Sequence, residues 1–383
     1  MRGKVVAVGL AIAVVVIVLA SVLTPAYPHS RDGSRPVTHA LLNITASVEV
    51  KVLRNGEVIG HYEKVGDPIT KQFYYMLVDN LFGWVRTSSP KYWYDTGGNT
   101  RTWIDTEEEG QNPIAYIAIG QGSGTPSRND YALFSEVMKD KAEVTLTDDT
   151  ANNKYVITYT KTFTSQSSFN LTEVGLMLYV DYSASQCVYK TYVLIAHDVL
   201  QSPLNVSVGD SISVTYTIEV PYDTGGPFTK TFYAIFINYF LGYKGTSGSS
   251  LTIVYESGSS TIFDGRDNDN PSDAQKVRIE VGSGSSSSTP LWTTYALGSK
   301  VADIRQDNAQ FLVQYSENST HITLKYIASL TFTSDTSVSE VGFSIEDDNR
   351  RKFLLLYFPL DSSISVPANG GLRVEIVVEI PFA

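Results

Sequence analysis

The sequence predicts a mainly β protein, built as two tandem β-sandwiches of jelly-roll or Greek-key type, each with a short amphipathic helix. Three observations carry that reading. One block of sequence pattern occurs twice along the 383 residues. Most segments between the variable loops alternate apolar and polar residues with the period of two expected of half-buried strands. Gly, Ser, Thr, Asn and Tyr are plentiful while charged residues make up only 18%, a composition that suits an exported β protein better than a cytosolic enzyme.

At the N-terminus, Arg2 and Lys4 precede an unbroken apolar run from Val5 to Leu23. A basic head followed by such a run is an export segment, and it is also long enough to span a bilayer. A signal peptide cleaved near Ala26 and a membrane anchor retained through 5–23 both stay open, so residues 1–26 are set apart and the rest is expected outside the cell, secreted or at the surface. Cys187 is the only cysteine, so no intramolecular disulfide forms and core burial must hold the fold. Asn43, Asn170, Asn205 and Asn318 each open an Asn-x-Ser/Thr sequon and are glycosylation candidates in an exported glycoprotein. With 29 basic against 40 acidic residues, a net of −11, the chain is a poor partner for nucleic acid.

Residues 27–66 form an N-terminal extension. Within it, ASVEVKVL, then Arg54-Asn55-Gly56, then EVIGHYEKV read as a hairpin with an Asn-Gly type I′ turn. The hairpin has no equivalent before the second repeat. It either completes the first sandwich or reaches an open sheet edge of another molecule as a donated strand.

Repeat 1 spans 67–222 and repeat 2 spans 223–383. DPITKQFYYMLVDNLFGW from Asp67 matches GPFTKTFYAIFINYFLGY from Gly226. In each, aromatic and aliphatic residues recur at helical spacing; in the first they are Phe73, Tyr74, Leu77, Val78, Leu81 and Phe82, with Thr70 as N-cap and Gly83 as stop. IAIGQGSG matches IEVGSGSS, placing Gly120 and Gly122 on Gly282 and Gly284. Tyr131-Ala132-Leu133 matches Tyr295-Ala296-Leu297, and Glu173-Val174-Gly175 matches Glu340-Val341-Gly342. VTLTD, KYVITYTKTF and SISVTYTIEV, with HITLKYIASLTF and LRVEIVVEI in repeat 2, supply the alternating strands.

The glycine loop after Ile119 resembles a phosphate cradle, but the duplicate argues against it. Ser286 replaces the third glycine, neither copy carries a following Lys-Ser/Thr, and a β-rich run follows where a nucleotide loop needs a helix. These glycines are therefore expected to permit a sharp turn, and Glu173 and Glu340 to bond a loop backbone. None of the five histidines stands in a metalloprotease frame, and GQGSG has its Ser out of place for a nucleophile elbow. The chain is expected not to be an enzyme. Asp264, Asp267, Asp269, Asn270 and Asp273 crowd one variable loop of repeat 2, an oxygen-rich set that suits Ca²⁺ although it lacks the EF-hand glycine and glutamate. Asp105 and Glu107 to Glu109 occupy the corresponding loop of repeat 1. Trp84, Tyr92, Trp93, Tyr94 and Trp103 offer either a carbohydrate-stacking face or an apolar plug.

The T-K-x-F-Y helix, V/I-G-x-G strand, Y-A-L segment and E-V-G strand together resemble archaeal extracellular β-sandwich assembly subunits of thread, bundling-pilus or cannula type. That resemblance implies a structural subunit of a filament, tubule or surface layer that self-associates into a homopolymer, joined by a donated N-terminal strand and in some members by calcium. The chain departs from it by carrying two copies of the unit. An adhesin or carbohydrate-binding module is the alternative from another class.

Overall fold

The structure, a computed structural model, describes residues 15–23, 37–41, 44–66, 69–82, 93–101, 113–184, 187–222, 226–243, 251–261, 276–284, 293–294, 296–347 and 350–382. It is mainly β, in antiparallel sheets of the sandwich class. The chain opens with β1 (Val15–Leu23), β2 (Val37–Leu41), β3 (Thr45–Arg54) and β4 (Glu57–Val65), followed by helix α1 (Lys71–Leu81). Two short strands, β5 (Trp93–Tyr94) and β6 (Thr100–Arg101), precede β7 (Ile114–Gly120), β8 (Glu136–Lys141) and β9 (Glu143–Asp149). Repeat 1 ends with β10 (Lys154–Thr164), β11 (Phe169–Ala184), β12 (Cys187–Val206) and β13 (Ser211–Pro221).

Repeat 2 runs in the same order. Helix α2 (Lys230–Ile235) passes into a π-helical turn (Phe236–Phe240), and β14 (Ile253–Val254) and β15 (Ser260–Thr261) form the short hairpin. Then come β16 (Lys276–Gly282), β17 (Lys300–Arg305), β18 (Phe311–Glu317), β19 (His321–Thr331), β20 (Thr336–Glu346), β21 (Lys352–Val366) and β22 (Gly371–Pro381).

The sheets duplicate as the elements do. Repeat 1 has a five-stranded sheet, β4-β3-β13-β10-β9, and a four-stranded one, β12-β11-β7-β8. Repeat 2 has β18-β19-β22-β1-β2 and β17-β16-β20-β21. Matching them strand for strand puts β9 on β18, β10 on β19 and β13 on β22. It also puts the hairpin β3–β4 on β1–β2.

Local chemistry explains the boundaries. Asn55 (φ 52°) and Gly56 (φ 87°) turn the hairpin between β3 and β4 in the left-handed region, as an Asn-Gly type I′ turn requires. Along β3, Ala46, Val48, Val50 and Val52 are buried while the residues between them are not. The side chain of Thr70 accepts from the Phe73 backbone N–H at the start of α1, and Thr229 does the same for Phe232 in α2. Gly83, the expected stop, lies outside the described residues. In repeat 2 the corresponding Gly242 adopts φ +67° and closes the helical segment.

One buried cluster runs through both repeats. Its contacts are reciprocal. Tyr159 Oη of β10 donates to the Leu241 carbonyl at the end of the repeat 2 helix (2.7 Å), and Tyr326 Oη of β19 donates to the Phe82 carbonyl at the end of α1 (2.8 Å). Tyr74 of α1 stacks edge-on against Phe382 (5.5 Å), and Tyr233 of α2 against Tyr222 (6.2 Å). Each helix thus lies on its own four-stranded sheet and also reaches the neighbouring repeat.

Within the apolar run at 5–23, Val15–Leu23 is a strand beside β22, and residues 5–14 lie outside the described residues. A run this rich in Val and Ile satisfies its backbone equally well in a sheet. Among the described residues no helix is long and apolar enough to cross a membrane. The hairpin of the extension takes the first of its two expected roles here: β3 pairs with β13 along its length.

Candidate functional site

The glycine loops do cradle an anion, and it is the chain's own. Strand β11 aims Glu173 under the loop that follows β7. Its Oε1 accepts from the backbone N–H of Gly122 (2.8 Å) and Ser135 (2.7 Å), and its Oε2 from Phe134 N–H (2.8 Å). A nest of N–H groups of this kind suits a carboxylate as well as a phosphate. A Cβ on Gly122 would lie 2.5 Å from Glu173 Oε1, so the glycine is required by close approach rather than by a ligand. Thr172 Oγ1 donates to the Gly122 carbonyl (2.5 Å) and pins the loop. In repeat 2, Glu340 accepts from Gly284 N–H (3.2 Å) and Ser299 N–H (3.1 Å), and Ser339 Oγ donates to the Gly284 carbonyl.

The two copies differ at the side-chain partner of the glutamate. Tyr357 Oη donates to Glu340 Oε2 (3.0 Å). At the matching place in repeat 1 stands His197, with Nε2 3.1 Å from Glu173 Oε2 and Nδ1 2.7 Å from Asp130 Oδ2. Burial alone would lift the Glu173 carboxyl, but His197 and the three backbone donors outweigh it and hold it below the ordinary glutamate range. Burial likewise opposes the imidazolium of His197, and the two carboxylates overcome that and raise its pKa. An Asp-His-Glu row is a familiar element of catalytic sites. Here both ring nitrogens are engaged and the ring is 1% exposed, so it has no nitrogen to offer a substrate. The sequence did not single out His197, whose pairing only the β11–β12 register brings about.

The outer faces of the four-stranded sheets have diverged. Tyr116, Tyr179 and Tyr192 form a half-buried trio with centroids 4.8 to 5.8 Å apart, and Lys139 lies over Tyr192. Arg278, Glu346 and Lys352 hold the corresponding positions in repeat 2, within a network that includes Glu256, Lys300 and Asp303. Beneath it Glu280 is buried with Oε1 unbonded, and burial pushes its carboxyl up to about 7.

The remaining sequence candidates divide by location. Asp264, Asp267, Asp269, Asn270 and Asp273 lie outside the described residues, as do Asp105 and Glu107 to Glu109. Among the described residues no group of three or more His, Cys, Asp or Glu is placed to hold a metal ion. Asn43 also lies outside them. Asn170 and Asn205 are exposed and directly opposite each other across β11 and β12. Asn318 is exposed at the β18–β19 turn, where its Oδ1 accepts from Thr320 and His321 N–H groups. Of the aromatic loop, Trp93 is fully buried and Tyr94 is 41% exposed against Tyr131; Trp84, Tyr92 and Trp103 are outside the described residues. Trp93 is therefore core and offers no stacking face for a sugar.

No protein-family model, curated protein or solved structure matches the chain.

Proposed function

We propose that this chain is a non-enzymatic structural subunit of an extracellular surface assembly, a filament, tubule or surface layer, in which two sandwich domains form one building block and copies associate through their N-terminal segments. One observation carries the reading. The five-stranded sheet of repeat 2 is completed by a strand from the far N-terminus, β1, rather than by any strand of its own repeat. A sheet edge finished by a distant segment is open to the same segment of a neighbour. The interior supports a structural role as well, since the buried polar cluster around Glu173 is spent on fixing loops.

The test is negative-stain electron microscopy of the exported chain, residues 27–383, with and without millimolar calcium, beside a chain starting at Ile44. Starting at residue 44 spares β3 and β4, which belong to the sheet of repeat 1. Ordered polymers lost on truncation are the expected result, and a calcium-dependent yield would bring the acidic loop at 264–273 into the assembly. A monomer under every condition would end this reading.

A carbohydrate-binding adhesin is the second reading, and the Tyr116-Tyr179-Tyr192 face favours it over the Trp93 loop. Glycan-array binding that is lost with Tyr192→Ala would select it.

A further inference from the structure

The short hairpin that precedes the glycine strand is held differently in the two repeats. In repeat 1 it holds itself. The buried Asp95 accepts at Oδ1 from the backbone N–H of Gly97 (3.0 Å) and Asn99 (2.9 Å), and Arg101 Nε donates to its Oδ2 (2.9 Å). In repeat 2 Tyr255 stands where Asp95 does, and the backbone of the two tips is otherwise alike. Thr96 N–H donates to the Tyr192 carbonyl (2.9 Å), and Glu256 N–H to the Lys352 carbonyl (2.8 Å). The side-chain anchor of the second tip is Glu256, with Oε1 2.6 Å from Lys300 Nζ and Oε2 3.6 Å from Lys352 Nζ. Thr231 Oγ1 of α2 donates to the Val254 carbonyl (3.0 Å). The base of the hairpin is thus fixed from below, and the tip at 255–259 is the part that can lift.

Under the anchor lies Glu280, at the position that Ala118 holds in repeat 1. It is 2% exposed, and its Oε1 has no hydrogen-bond partner. The strand registers set out what shares its side of the sheet. Arg278 lies on its own strand, Lys300, Asp303 and Arg305 on β17, Glu340 and Glu346 on β20, and Lys352 and Tyr357 on β21, with Glu256 reaching in from the hairpin. Glu340 is taken up by Tyr357 and by the glycine-loop N–H groups. Arg278 joins Asp303 and Glu346, Arg305 joins Glu346 and Asp307, and Lys352 lies 3.7 Å from Asp303. Each of these cations already holds a carboxylate, so an ionised Glu280 is a surplus buried charge that must find a partner.

We propose that Glu280 is a proton-gated lock on the tip of the β14–β15 hairpin. Neutral, it leaves Lys300 and Lys352 on Glu256, and the tip is held against the sheet. Ionised, it draws the two lysines inward, Glu256 loses its partners, and the tip lifts. The lysines are suited to this exchange, since a flexible stem lets an ammonium change partners without moving its strand. Burial raises the Glu280 carboxyl to about 7, so the lock releases as pH rises through the neutral range. Repeat 1, with Ala118 in place of the acid and Asp95 clamping its own turn, has no such device.

Amide hydrogen exchange on the full chain tests this, with each rate divided by the intrinsic rate at the same pH. Protection over 253–259 is expected to fall by about tenfold from about pH 5.5 to about pH 8.5, while the matching peptide of repeat 1, 93–99, keeps its protection and serves as the control for global opening. Glu280→Gln should hold the tip protected at both pH values, and Glu256→Gln should leave it poorly protected at both. Unchanged protection of 253–259 in the unmodified chain would overturn the inference. So would a fall of the same size in Glu280→Gln, in Glu256→Gln or in the repeat 1 peptide.

Discussion

Glu173 sets what a single residue can do in this fold. The carboxylate replaces the ligand that a glycine loop suggests, so loop and acid are one unit. Gly122→Ala is expected to lower stability by roughly 2–4 kcal/mol, because a Cβ there collides with Glu173 and with the Phe134-Ser135 segment; thermal melting reads it. His197 adds a pH dependence. Its folded pKa is raised above 6.5, so its stabilisation is complete below that value and is lost as pH rises through the folded pKa. The sister repeat uses Tyr357 and Thr294 at the positions of His197 and Asp130, and a phenol stays neutral over that window. Transplanting that pair, His197→Tyr with Asp130→Thr, should flatten the decline in urea stability on going from about pH 6 to about pH 8. Glu280 has the same sign for another reason. Burial raises its carboxyl from 4.5 to about 7, so its contribution is most favourable below 4.5 and is lost as pH rises towards 7. Glu280→Gln should raise stability at neutral pH and leave it little changed in acid. Equal shifts at both ends of that range would contradict the assignment.

At the scale of elements, the helices do more than cap their own sheets. Each ends on a carbonyl bonded by a buried tyrosine of the other repeat, Leu241 by Tyr159 and Phe82 by Tyr326. Removing either hydroxyl strands a buried acceptor at a cost of about 1–2 kcal/mol. Tyr159→Phe and Tyr326→Phe should therefore destabilise by similar amounts, and a marked inequality would show that the two contacts are not equivalent. The elements also show where sequence reading succeeds. The hairpin at Asn55-Gly56, the Thr70 cap and the strands β10, β13, β19 and β22 were all legible, because each rests on local periodicity or turn chemistry. The π-helical turn at Phe236–Phe240 was not. Its run of buried aromatics has the pattern of an ordinary helix, and that periodicity does not distinguish π winding from α.

For the whole molecule, the reciprocal contacts have the form of a two-fold pair, in which residue i meets j and j meets i. Such a pair is closed and cannot itself propagate a polymer. It also predicts that the peptide link between the repeats is dispensable. A protease site introduced at residues 223–225 and cut in the folded protein should leave both halves eluting together on size exclusion, held by the shared core. Separation at micromolar concentration would show that the cluster across the repeats is weak.

By itself the sequence determined the duplication, the β class, the caps and the turns, since composition, period and repeat spacing are properties of the chain alone. It also marked Glu173 and Glu340 as bonding a loop backbone, and the structure names the glycine loops as that backbone. Only the tertiary structure decided that Trp93 is core, that His197 bridges Glu173 and Asp130, and that the edge of β22 is finished by residues 15–23. Those are contacts between residues from 24 apart, as in His197 and Glu173, to more than 300 apart, as in β1 and β22, and no local pattern encodes which distant strand a given edge will meet.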